Sequence, residues 1–175
     1  MDHLAESPAL RQIKPTPSPI AGRVVGVVAG PGSDLAGIAK LRTALEAEGA
    51  LLRVIAPTGG RLVKGANEEI VERTFATGRS VEFDAIVVAD GAPKDGDFRA
   101  VVMLQEMFRH LKAVGAWGDG VEVLATAGID PEAPGVLTGK TSSAKLTTGL
   151  IAALGMHRAW DRTPLVNASM VPPSA

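Results

Sequence analysis

The segment Lys112–Gly120 combines a short apolar run with a glycine-rich turn that opens a helical stretch. A strand, a sharp turn and a helix in this order can expose one side chain at the turn as a nucleophile. The two residues at the apex are Gly118 and Asp119, so the turn offers a carboxylate but neither a thiol nor a hydroxyl group. The sequence has no cysteine anywhere, which excludes thiolate nucleophiles, thiolate metal sites and disulfides.

Serine, histidine and tyrosine chemistry is not indicated either. No G-x-S-x-G motif of a serine hydrolase is present, and Thr141–Ser143 is better interpreted as the N-cap of a final helix. Of the three histidines, His3 lies near the N-terminus, whereas His110 and His157 fall on separate predicted helices. They lack the convergent spacing that a zinc site requires. The chain has no tyrosine to act as a general acid.

The glycine-rich turn Gly30–Asp34 follows an apolar strand and opens a helix, which is where a dinucleotide-binding loop would lie. The third glycine of that fingerprint falls on Leu35. The second strand ends at Ala56 and Pro57 instead of at an acidic residue for a ribose. We therefore interpret the segment as a plain turn and expect no cofactor there.

The composition is that of an ordinary globular domain, with 175 residues of which 46% are hydrophobic and 21% charged. A net charge of -1 and an aromatic content of 3% argue against nucleic-acid binding. No apolar run approaches the roughly 20 residues that span a bilayer, and Met1–Lys14 lacks the apolar core of a secretory signal. We expect a cytoplasmic protein that binds neither nucleic acid nor membrane. The neighbouring acids are expected to be solvated or helix-capping: Glu68, Glu69, Asp95 and Asp97.

Apolar strands alternate with amphipathic helices along the chain, which indicates a mostly parallel sheet with helices on both faces. The predicted strands are Arg23–Ala29, Leu51–Ala56, Asp84–Ala89, Lys112–Trp117 and Gly135–Gly139, with a small pairing of Arg61–Lys64 and Ile70–Phe75. The predicted helices end near Glu48, Leu111, Ala127 and Trp160. In the second helix the expected core side is Val101, Leu104, Phe108 and Leu111.

Both ends of the chain are rich in proline, which favours extended, irregular backbone. The prolines in question are Pro8, Pro15, Pro17, Pro19, Pro164, Pro172 and Pro173. We therefore predict an extended linker over residues 1–21, an α/β domain over 22–162 and an irregular tail over 163–175.

The order of elements over Arg23–Trp160 resembles that of the ThiJ/PfpI group, which belongs to the class I glutamine amidotransferase-like fold. Within it, Asp84–Gly91 is similar to the strand and turn that precede the oxyanion region of that group. Active members carry a cysteine and then a histidine at the elbow, with a supporting acid near the first strand. Those positions fall here on Gly118, Asp119 and Ser33, with Asp34 beside the last. The resemblance therefore implies the family's frame without its covalent thiol chemistry.

Three further phrases resemble a narrower family, the C-terminal domain of large-subunit haem catalases. They are Glu6–Leu10, Arg73–Gly78 leading into Phe83-Asp84, and the ending His157–Arg162. In that family a flavodoxin-like, three-layer α/β domain without a nucleophile follows the haem core through an extended linker.

This narrower resemblance implies a non-catalytic accessory domain, with hydrogen peroxide breakdown in a haem core outside the sequence. It implies no cofactor in this segment and haem in the parent, where a tyrosinate binds the iron. The implied partners are the haem core of the same chain and the neighbouring subunits of a homotetramer. The implied roles are assembly stability, channel covering and chaperone-like activity.

Two alternatives from other classes stay open at this point. One is a stand-alone ThiJ/PfpI-like enzyme that uses Asp119 as a base, which requires desolvation to raise the pKa of that carboxyl. The other is a small-molecule binding module at the carboxyl ends of the strands, the usual site of such folds.

Overall fold

The computed structural model describes residues 16–95 and 97–164. Its seven strands form one sheet in the order β3-β4-β2-β1-β5-β6-β7, parallel throughout except for the antiparallel pair of β3 and β4. The strands are β1 Val24–Val28, β2 Leu51–Ala56, β3 Gly60–Lys64, β4 Asn67–Thr74, β5 Ala85–Val88, β6 Ala113–Trp117 and β7 Val136–Gly139. The helices are α1 Leu35–Ala47, α2 Phe98–Arg109, α3 Gly120–Thr126 and α4 Ala144–Gly155, with 3₁₀ turns at Ser80–Glu82 and Trp160–Arg162.

Two apolar cores lie on opposite faces of the sheet, because neighbouring residues of a strand point to opposite sides. Val25 and Val27 of β1 pack with α1 and α4, whereas Val28 packs with α2 and α3. The central strands β5 and β6 are buried along their whole length, as expected of strands covered on both faces. The predicted α/β, flavodoxin-like three-layer sandwich is therefore confirmed.

The last helix was predicted too long. α4 ends at Gly155, and His157 adopts a left-handed φ of 67° that cannot continue an α-helix. The N-terminal segment occupies the space at this end, because the Ser18 N–H donates to the Gly155 carbonyl at 2.9 Å and a side chain at position 155 would overlap Pro17. Sequence periodicity did not reveal this contact between distant segments.

The core side of α2 was only partly correct. Leu104 is fully buried as predicted, but the other buried residues are Ala100, Met103 and Met107. Val101 and Phe108 pack against the core only in part, and Leu111 lies beyond the helix with a φ of 59°. The helix rests on the sheet along a stripe rotated from the predicted one.

The last residues of the predicted linker, which ends at residue 21, pack against the domain. Ile20 is 4% exposed and belongs to the core of α1 and α4, while the Gly22 N–H donates to the Gly49 carbonyl. Residues 1–15 of the predicted linker and 165–175 of the predicted tail lie outside the described residues.

Glu69 was expected to be solvated or capping, and that expectation was wrong. Its carboxylate is buried and accepts a hydrogen bond from Arg42 Nη2 at 2.6 Å. Glu68 on the other face of β4 pairs with the exposed Arg61. Asp97 caps α2 as predicted, since its side chain accepts from the Arg99 N–H. No helix among the described residues is long and apolar enough to span a membrane.

Candidate functional site

The turn between β6 and α3 has the backbone of a nucleophile elbow. Gly118 lies at its apex with a φ of 59°, in the left-handed region that glycine adopts without a Cβ penalty. Its N–H donates to the Gly139 carbonyl at 2.9 Å, which joins the elbow to the end of β7. The sequence-predicted strand, turn and helix are thus present, and the apex carries no side chain.

The space beside the apex is taken by Asp90. A Cβ placed on Gly118 would overlap the Asp90 carboxylate, which therefore stands where a nucleophile side chain would begin. The Asp90 Oδ1 accepts the N–H of Asp119 at 2.9 Å. Asp90 was not singled out from the sequence. The available signal was its place directly after β5, because parallel neighbours such as β5 and β6 end at the same edge of a sheet.

Asp119 is held as a carboxylate by its neighbours. Its Oδ1 accepts the N–H of Gly91 at 2.5 Å, and its Oδ2 lies 3.0 Å from Lys94 Nζ. The hydrogen bond from Gly91, together with Lys94, keeps the pKa of Asp119 below its usual range. A general base at neutral pH needs the opposite shift, so the geometry argues against Asp119 in that role.

The supporting-acid position is occupied by residues that hold the turn after β1. Ser33 is fully buried, and its Oγ accepts the N–H of Gly30 at 2.9 Å. Asp34 caps α1 by accepting the N–H of Gly37, and its second oxygen accepts from Trp117 Nε1 at 3.3 Å. Both side chains thus stabilise local structure at this edge.

Three segments meet at the carboxyl edge and are joined by a backbone hydrogen bond and by a side-chain hydrogen bond to a backbone carbonyl. The Asp34 N–H donates to the Asp90 carbonyl at 2.9 Å, and Lys64 Nζ donates to the Gly32 carbonyl at 2.7 Å. A Cβ on Gly91 would overlap the backbone of Gly32, so only glycine permits this approach. An open cleft of about 310 Å³ remains, lined by Asp34, Leu35, Ala36, Lys64, Asn67 and Asp90.

The two histidines of the described region lie away from the elbow. His110 is the C-cap of α2. The Nδ1 of His157 lies 2.7 Å from the Nη1 of Arg23, the residue that comes just before β1. Both positions are at the amino edge of the sheet, opposite the elbow. Within residues 16–95 and 97–164, no group of three or more histidine, aspartate or glutamate side chains is arranged to hold a metal ion.

Comparison with known proteins identifies the family of the chain. The family model of the C-terminal domain found in long catalases matches residues 21–164. Catalase HPII of Mycobacterium avium is 37% identical over 175 aligned residues, which cover 89% of this chain and 25% of that protein. Catalase-2 of Bacillus subtilis is 30% identical, with 89% and 23% covered. Catalase HPII of Pseudomonas aeruginosa is 34% identical, with 93% and 23% covered.

The chain spans about a quarter of the length of these relatives. The family match extends from just before β1 to just beyond the 3₁₀ turn that follows α4, and so includes every strand and helix described above. This chain belongs to the family of C-terminal domains found in long catalases.

Proposed function

We propose that this chain serves as a non-catalytic accessory domain of a large-subunit haem catalase, in which the haem core breaks down hydrogen peroxide. The observation that carries the proposal is the elbow, where the Asp90 carboxylate fills the position of a nucleophile and Gly118 supplies none. The family match and the catalases named above support a long catalase as the parent protein. The elbow backbone further supports descent from a ThiJ/PfpI-like fold.

The residues of this chain do not fit a haem site of the catalase type. A catalase haem iron takes a tyrosinate ligand, and the sequence contains no tyrosine. His110 and His157 lie at the amino edge, where His157 contacts Arg23 and Arg158. We therefore assign the haem to the parent's core and no cofactor to this segment.

The proposed partners are the haem core of the same chain and the neighbouring subunits of a homotetramer in the cytoplasm. The domain suits a supporting role, because its sheet is buried between two apolar cores and gives a rigid body. Stabilising the assembly and covering channels toward the haem are the roles that we propose first. Chaperone-like activity is a further proposed role.

The direct test is peroxide breakdown by the 175-residue chain with added haem. We expect no turnover above that of free haem, and turnover near that of a full catalase would overturn the proposal. The alternative of a stand-alone enzyme is tested in the same screen with glyoxalase, deglycase and peptidase substrates. Activity that disappears in Asp119→Asn would favour that alternative, which the lowered pKa of Asp119 makes unattractive.

A further inference from the structure

The amino edge of the sheet gathers basic side chains that the elbow does not use. Arg23 lies just before β1, Lys112 just before β6, and Arg158 shortly after α4. Two of these residues line a cleft of about 300 Å³, whose walls are Val81, His110, Lys112 and Arg158. The cleft is therefore bordered by cations, although the whole chain has a net charge of -1.

Lys112 brings a buried ammonium group to this cleft. The residue is 8% exposed, and its Nζ donates to the carbonyls of Ser80 at 2.8 Å and Phe83 at 2.6 Å. An ammonium has three N–H donors, so one is left without a partner among the described residues. Burial, aided by the Arg158 cation, lowers the pKa of Lys112, which means that the protonated form is under-stabilised.

Arg158 lines the same cleft and has N–H groups without a hydrogen-bond partner among the described residues. Its Nη1 donates to the His157 carbonyl at 2.8 Å and lies 3.3 Å from His157 Nδ1. Its Nε and Nη2 form no hydrogen bond within the described part of the chain. No carboxylate in that part forms an ion pair with Arg158 or Lys112.

The nearest carboxylates are already engaged. Asp84 accepts from Arg23 Nη1 at 2.7 Å and from the Val24 N–H at 2.9 Å. Glu106 accepts the hydroxyl of Ser80 at 2.6 Å. The three basic side chains Arg23, Lys112 and Arg158 thus have two carboxylates nearby, and neither carboxylate forms an ion pair with Lys112 or Arg158.

Unusual backbone conformations present both cations to the cleft. Leu111 and His157, the residues that precede Lys112 and Arg158, have left-handed φ values of 59° and 67°. Side chains other than glycine rarely adopt this region, and such residues persist where the surroundings fix them. The ends of α2 and α4 therefore turn where Lys112 and Arg158 begin, and both residues line the same cleft.

We propose that this cleft is a binding site for a small oxyanion, a phosphate or carboxylate group held by Lys112 and Arg158. A guanidinium offers two parallel N–H groups to such an anion, and the ammonium adds a third donor from the buried side. The bound charge would satisfy donors that the fold leaves open. The site lies at the edge opposite the elbow and is independent of the proposed accessory role.

The experiment is a titration of the 175-residue chain with inorganic phosphate, compared with chloride at equal ionic strength, followed by calorimetry and by backbone amide shifts. We expect saturable one-to-one binding, with the largest amide shifts around Lys112 and Arg158. Arg158→Gln should weaken the affinity at least tenfold. The matched control is Arg61→Gln, which alters an exposed arginine on the remote β3 and should leave the affinity unchanged.

Equal responses to phosphate and chloride would overturn the proposal, as would unchanged affinity in Arg158→Gln. Lys112→Met removes the second donor but also a buried hydrogen-bonded group, so the partly exposed Arg158 carries the test if that variant does not fold. Succinate in place of phosphate distinguishes the sources of the anion. Tighter binding of succinate assigns the site to carboxylates, and tighter binding of phosphate assigns it to phosphoryl groups.

Discussion

The two edges of the sheet differ in whether their charged side chains have hydrogen-bond partners within the domain. At the carboxyl edge, Asp90 and Asp119 accept backbone N–H groups, and Lys94 neutralises Asp119. At the amino edge, Lys112 and Arg158 keep donors that no described residue accepts. The carboxylates of the elbow thus bind internal partners at the carboxyl edge, whereas two cations at the amino edge keep N–H donors available to an anion.

At the carboxyl edge, a turn with the backbone of an elbow has its apex filled by a neighbouring side chain. Gly118 keeps the left-handed turn, and the neighbouring Asp90 uses the freed space to bind the backbone of α3. A carboxylate that accepts a backbone N–H contributes to the stability of the turn. The Oδ1 of Asp90 and both carboxylate oxygens of Asp119 have internal partners, and these contacts stabilise the edge.

The largest expected effect lies beneath the amino edge, at the fully buried Arg162. Its Nε donates to the Pro134 carbonyl, and its Nη1 donates to the carbonyls of Phe108 and Lys112. Burial lowers the pKa of Arg162 to about 10, so it stays protonated at neutral pH. Arg162→Met would remove these three hydrogen bonds, although the Phe108 carbonyl keeps the Leu111 N–H as a donor. The variant should cost about 4 kcal/mol of unfolding free energy, measured by urea denaturation.

The matched control for Arg162 is Arg61→Met. Arg61 is exposed and, among the described residues, forms an ion pair with Glu68 alone. Its replacement should change the unfolding free energy by less than about 0.5 kcal/mol. A loss below about 1 kcal/mol in Arg162→Met would contradict the assigned structural role.

At the elbow, Gly118→Ala should destabilise the domain by about 3 kcal/mol, because a left-handed alanine is strained and its methyl overlaps Asp90. Gly128→Ala is the control, since Gly128 has a similar φ of 69° with open space around it. That variant should lose only about 1 kcal/mol, measured in the same urea series. Equal losses in the two variants would show that Asp90 does not fill the elbow.

The role of Asp84 at the amino edge can be tested by the pH dependence of the unfolding free energy. Burial would raise its pKa, but the Val24 N–H and Arg23 outweigh burial, and the net shift is downward. A carboxyl with a lowered folded pKa stabilises the fold above its unfolded pKa near 4 and loses that contribution as pH falls through the folded value. Asp84→Asn should therefore cost about 2 kcal/mol at pH 7, with a difference from the unmutated chain that shrinks below about pH 4.

Asp119 provides the smaller, carboxyl-edge counterpart. Its pKa is lowered mainly by the Gly91 N–H, so the same sign applies, with stability present at neutral pH and lost in acid. Its side chain is 34% exposed, and solvent screens part of the interaction with Lys94. Asp119→Asn should cost about 1 kcal/mol at pH 7 in thermal unfolding. A stability difference that grows toward acidic pH would contradict the assigned ionisation.

Much of the fold could be predicted because it depends on local pattern. The alternation of apolar strands with helices placed β1, β2, β5, β6 and β7, and the hairpin of β3 and β4 was found around Gly65. Side-chain caps were also readable, since Asp97 and Ser143 each accept an N–H of the helix that follows. The boundaries were less accurate where another segment ends a helix, as Ser18 does at Gly155.

At the candidate site, the sequence predicted only the absence of a thiol nucleophile. The sequence established that the elbow positions Gly118 and Asp119 hold no thiol, because residue identity alone decides that question. It did not identify Asp90, which lies 28 residues before Gly118 and reaches it only across neighbouring strands. It likewise gave no sign that Lys112 and Arg162 are buried.

The sequence by itself determined the alternating architecture, the missing thiol and the missing tyrosine. Only the tertiary structure decided which charged groups have partners: it placed Asp90 in the elbow, Glu69 against Arg42, and Lys112 beside Arg158. The physical reason is that periodicity reports which face of an element is apolar, while the pKa and the hydrogen bonds of a side chain depend on neighbours that the packing of distant segments supplies.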